Sequence, residues 1–139
     1  MNPLILQNSW NHIEIVHKKT LFIYGNDTER ADIIFYPGGY ERWDWKRPKT
    51  FCKSHIPGVS KEAINYLIDK NCDYIIVSSG YGNENYTIDG KLCIQQEALD
   101  YAKNKVKLLY MKSEKAVTEY NKLVLENNYK VGMYMHSTC

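Results

Sequence analysis

The chain has almost no imbalance of charge. Its 139 residues carry 18 basic and 16 acidic side chains, a formal net charge of +2. Nucleic-acid and membrane-surface binders show a clustered basic excess, so neither nucleic acid nor membrane is expected as a partner. The opening run M-N-P-L-I-L-Q-N-S-W has no basic start and too short an apolar stretch for a signal peptide or a membrane span. A soluble, cytoplasmic protein is therefore expected. Asn26-Asp27-Thr28 and Asn85-Tyr86-Thr87 match the glycosylation sequon, and without an export signal they are chance matches. The four cysteines, Cys52, Cys72, Cys93 and Cys139, form no C-x-x-C pair. Reduced thiols are expected, with no metal site and no cofactor. There is no internal repeat and no low-complexity segment.

What is present is ordinary in bulk. Hydrophobic residues are 44% and charged residues 24%, and the length suits one domain over residues 1–139 with a real apolar core. The unusual stretch is residues 32–60, D-I-I-F-Y-P-G-G-Y-E-R-W-D-W-K-R-P-K-T-F-C-K-S-H-I-P-G-V-S. It holds two of the three tryptophans and all but one of the arginines.

Along the chain, residues 12–24 read as a hairpin with its turn near His17-Lys18-Lys19. Residues 32–37 form the next strand, Gly38-Gly39 a turn, and residues 40–45 the return strand. Alternation puts Tyr40, Arg42 and Asp44 on one face and Glu41, Trp43 and Trp45 on the other. Ser60 is a natural cap for a helix over about 61–71, with Ala63, Ile64, Leu67 and Ile68 as its apolar stripe. Residues 74–77 are a continuous apolar run, the pattern of a strand covered on both faces. A helix over about 94–104 follows, then a strand over 106–111. Ser113 is expected to cap a third helix over about 114–126, striped by Ala116, Val117, Tyr120, Leu123 and Val124. The last strand, 129–136, places Val131, Met133 and Met135 on one face and Gly132, Tyr134 and His136 on the other. The fold class is α/β (mixed α+β): antiparallel N-terminal hairpins, then α-β-α-β-α-β with parallel pairing in a mixed central sheet flanked by helices. The hairpins either extend that sheet or pack as a second one.

Three groups of residues carry candidate chemistry. Ser78-Ser79-Gly80-Tyr81-Gly82 leaves the C-terminal end of a buried strand, where ligands bind in open α/β sheets. Gly80 and Gly82 lack the third glycine of a dinucleotide fingerprint, so a plain turn is the simpler account. Arg42 with Asp44, and Trp43 with Trp45, are residue types enriched at binding hot spots. Their simpler account is a cross-strand ion pair and a core anchor. His55 precedes a helix start, and His136 precedes Ser137, Thr138 and Cys139. A Cys/His pair invites nucleophilic or metal chemistry, but no second half of either site is present. The basic loop 46–53 reads as solvated surface.

These same residues carry a resemblance. P-G-G-Y-E-R-W-D-W-K (37–46), S-H-I-P-G-V-S (54–60), the glycine loop, E-K-A-V-T-E-Y-N (114–121) and the terminal H-S-T-C (136–139) resemble the Mth-nine-three-eight-like domain family. The chain is most similar to its adipogenesis-associated domain-containing branch, and more distantly to the complex I assembly factor 3 type. The matching positions are Gly38, Gly39, Arg42, Trp43, Asp44, Trp45, His55, Pro57, Gly58, Gly80, Gly82, His136 and Cys139. Residues 83–91 and the basic loop before Ser54 are longer than the family pattern. The resemblance implies a compact mixed sheet flanked by helices and supplies no reaction.

Two functions follow as expectations. The first is a non-enzymatic protein-binding module, of an assembly-factor or inhibitory, immunity-type kind, using an aromatic and arginine-bearing surface. The second is a small-molecule or anion site, with or without catalysis, between the Gly80–Gly82 loop, Arg42 and one of the histidines. The candidate set for either is Arg42, Trp43, Asp44, Trp45, His55, Ser79, Gly80, Gly82 and His136.

Overall fold

A computed structural model describes residues 5–9, 12–17, 20–24, 33–42, 58–80 and 94–136. Eight strands and three helices lie within them, in two sheets. Strands β1 (Ile5–Ser9), β2 (His12–His17) and β3 (Thr20–Tyr24) form an antiparallel three-stranded sheet. The hairpin expected over 12–24 is β2–β3, its register closing at His17 opposite Thr20. Strand β1 was not foreseen, and it runs beside the third helix.

The main sheet has five strands. They are β4 (Ile33–Tyr36), β5 (Gly39–Arg42), β6 (Tyr74–Ser78), β7 (Lys107–Met111) and β8 (Val131–Met135), in the order β5-β4-β8-β6-β7. β6 pairs parallel with both β7 and β8, while β4 pairs antiparallel with β5 and β8. Both alternatives for the N-terminal hairpins are thus realised: one forms a separate sheet and the other extends the central one. The β4–β5 turn is Pro37-Gly38, not Gly38-Gly39. Gly38 sits at φ 98°, which glycine takes without strain, and Gly39 already pairs with Tyr36.

Helices α1 (Lys61–Ile68), α2 (Gln96–Ala102) and α3 (Ser113–Leu125) cover the two faces. One face packs Ile33, Phe35, Ile76, Val131, Met133 and Met135 against Ala116, Val117, Tyr120, Leu123 and Val124 of α3. The other packs Ile34, Ile75, Val77 and Tyr134 against Ala63, Ile64 and Leu67 of α1 and Ala98 and Ala102 of α2. The alternation read for residues 129–136 is the observed one. β8 is buried at every position because it is central and covered on both sides. Tyr120 is fully buried, and burial raises its phenol well above the ordinary value.

Helix ends come from local chemistry. Ser60 caps α1 as expected, its hydroxyl accepting from the Ala63 N–H at 3.2 Å. The helix stops three residues short of Asn71, which takes the left-handed conformation at φ 66° and turns the chain into β6. The expectation for Ser113 is corrected. The cap position of α3 is Lys112, and Ser113 is the first helical residue. Its hydroxyl is engaged elsewhere, as described next.

Candidate functional site

The strand register draws one line across the sheet. Arg42 pairs with Ile33, Ile33 with Met135, and Ser78, one step past the Val77–Tyr134 pair, with Met111. This line is the edge at which the parallel strands end. α1 and α3 also begin there, because each runs back antiparallel to the next strand. Arg42 and Gly80 stand at this edge, and Ile94 bridges Val59 just before α1.

Buried polar groups collect at the same edge. Among the described residues, the buried polar side chains are Ser60, Ser78, Ser79, Ser113 and His136. Each stands at the C-terminal end of a parallel strand or at the start of a helix. A buried polar group needs a hydrogen-bond partner, and the hydroxyls of Ser60, Ser78 and Ser113 find theirs in the backbone. The His136 N–H donates to Ser78 Oγ at 2.6 Å, and the His136 carbonyl accepts from Ser113 Oγ at 2.5 Å. The two hydroxyls thus grip the chain one residue beyond the β8 ladder, where backbone pairing has run out. That is why Ser113 does not cap its helix. Both hydroxyls meet the backbone of His136, not its ring, so they form no serine–imidazole relay.

β6 and β7 also form a switch point. α2 follows β6 on one face and α3 follows β7 on the other, an arrangement that opens a crevice for ligands in α/β sheets. Here backbone bonds close it. The Ser79 N–H donates to the Met111 carbonyl at 2.8 Å, and the Ser113 N–H to the Gly80 carbonyl at 2.9 Å. Gly80, at φ 117°, makes the turn that allows this. Two amides at the switch point, those of Ser79 and Ser113, are therefore already engaged.

Ser79 and Gly80 follow Ser78, which bonds the His136 backbone, so these three candidates stand at one edge. Arg42 lies on the same edge but three strands from β6, roughly 14 Å at ordinary strand spacing. Trp43, Asp44, Trp45, His55 and Gly82 lie outside the described residues. Sequence reasoning missed Ser78 and misassigned Ser113. Their roles depend on β8 lying next to β6, which no local pattern announces. No group of three or more histidine, cysteine or acidic side chains able to hold a metal occurs among the described residues, and none of the described helices is long and apolar enough to cross a membrane.

No protein-family model matches the sequence. The solved structure of a protein named MT938 is similar to this chain, with a TM-score of 0.60 over 100% of both chains at 15% sequence identity. The chain has the MT938-like fold. The resemblance implied a mixed sheet flanked by helices, and the structure has one, with five strands and three helices. At that identity the MT938-like likeness concerns architecture alone, and the site must be argued from this chain's own residues.

Proposed function

We propose that this chain is a non-catalytic, cytoplasmic protein-binding module, of the assembly-factor or inhibitory kind, which engages its partner at the edge where the parallel strands end. One observation supports the reading: four of the candidate residues, Arg42, Ser79, Gly80 and His136, stand at that edge. The serine grip on His136 and the stitched β6–β7 crevice make the edge a rigid platform, and a preorganised surface loses less entropy on binding.

The second reading is a small-molecule or anion site, with or without catalysis, near Gly80–Gly82 and Arg42. The switch point between β6 and β7 favours it, and the engagement of the Ser79 and Ser113 amides weighs against it.

Affinity capture from native lysate at mild salt tests the first reading. Wild-type protein and a Lys107→Glu control at the opposite edge should retain one stoichiometric partner. An Arg42→Glu/Lys112→Glu variant should lose it. Capture of no stoichiometric partner, or its retention by the double variant, would count against the proposal. A thermal shift with phosphate or carboxylates that disappears in Arg42→Ala would favour the second reading instead.

A further inference from the structure

A second cluster lies where the β4–β5 hairpin meets the C-terminal end of α1. Tyr36 ends β4 beside the hairpin turn, Glu41 is in β5, Tyr66 is in the last turns of α1, and Lys70 follows that helix. The Lys70 ammonium lies 4.6 Å from the centroid of the Tyr36 ring and 5.3 Å from that of Tyr66. The Tyr66 hydroxyl donates to Glu41 Oε1 at 2.8 Å. All four side chains are half-buried. The C-terminal carbonyls of α1 add a negative field, since the Lys70 N–H meets only the Leu67 carbonyl in a loosened last turn.

Two ring faces over one cation, one of them held by a carboxylate through its hydroxyl, make the start of an aromatic cage. The other lysine–tyrosine contacts differ from it. Tyr101 is a single ring approached by two lysines, Lys61 at 5.1 Å and Lys105 at 4.6 Å. Only at Lys70 do two tyrosines converge on one ammonium among these contacts. A primary ammonium is strongly hydrated and gives up water reluctantly. A quaternary ammonium has no N–H to hydrate and spreads its charge over methyl groups, so it gains more from ring faces at lower desolvation cost.

We propose that Tyr36, Tyr66 and Glu41 form a binding site for a quaternary ammonium group, and that Lys70 is its resident, displaceable occupant. Lys70 keeps the rings apart in the free protein and competes with the ligand as a tethered cation. The group could come from a trimethylated lysine side chain of a partner protein or from a choline-type small molecule. The site rests on the hairpin and the end of α1 and does not depend on the reading of the edge discussed above.

Titration followed by NMR of the Tyr36 and Tyr66 ring signals tests this, using choline, its uncharged isostere 3,3-dimethylbutan-1-ol, and a peptide bearing trimethyllysine. Lys70→Met and Lys70→Gln remove the competing charge at an exposed turn. Both should bind choline at least about tenfold tighter than wild type. The uncharged isostere should bind none of them. Tyr36→Leu added to Lys70→Met should abolish the response. Tighter binding of the peptide than of choline assigns the site to a protein partner, and the reverse assigns it to a small molecule. No ring shifts in either folded Lys70 variant would overturn the proposal. So would equal binding of the isostere, or undiminished binding in the Tyr36→Leu/Lys70→Met double variant.

Discussion

Gly132, in the middle of β8, leaves space that its neighbours already fill. A Cβ there would lie 2.8 Å from Cys72 Sγ and 2.9 Å from Leu67 Cδ1. Leu67 is fully buried and has little room to move. Gly132→Ala should therefore destabilise the protein by about 1–3 kcal/mol in urea unfolding. Adding Cys72→Ala should recover part of that loss; no recovery would show that Leu67 alone sets the limit. Cys72 also links stability to pH. Burial, with Asp73 adding to it, pushes the thiol from 9.0 up to about 12. Tyr66 is pushed from 10.0 to about 12, first by burial and then by its hydrogen bond to Glu41. In both cases the folded state keeps a proton that the unfolded chain gives up sooner. The stabilisation is complete below the unfolded values and is lost as pH rises from about 9 toward about 12. The unfolding midpoint should fall across that window, and Cys72→Ala should flatten the early part of the fall. A flat profile in the wild type would contradict this.

Two serines at helix starts show what an element's surroundings can override. Ser60 and Ser113 look alike in the sequence: each precedes an apolar stripe at helical spacing. The Ser60 hydroxyl accepts from the Ala63 N–H, an ordinary cap. The Ser113 hydroxyl donates to the His136 carbonyl, 23 residues away. Glycine at a cap position costs only a few tenths of a kcal/mol relative to serine. Ser60→Gly should therefore shift stability by only a few tenths of a kcal/mol. Ser113→Gly should cost about 1–3 kcal/mol, because the buried His136 carbonyl loses its donor. Equal effects of the two, measured by denaturant unfolding, would mean Ser113 is only a cap. The helix stripes themselves were legible: Ala63, Ile64 and Leu67 are buried, with Ile68 only half-buried, and so are Ala116, Val117, Tyr120, Leu123 and Val124. Spacing at 3.6 residues per turn is a local property. The cross-sheet bond of Ser113 is not, and neither is the pairing that makes a strand of β1.

At the scale of the whole molecule, strand order decides where the candidate residues meet. The sequence showed alternating helices and strands after residue 60, hence parallel pairing. It did not show that β8, last in the chain, inserts between β4 and β6. That insertion brings His136 to Ser78 and sets Arg42 on the same edge three strands away. A photo-crosslinking side chain placed at Lys112, on the proposed edge, and separately at Tyr129, at the opposite end and 40% exposed, reports directly which end meets a partner. In native lysate, the protein labelled at 112 should give one covalent adduct of defined mass and the protein labelled at 129 none. An adduct from position 129 with none from position 112 would contradict the assignment of the edge as the binding face.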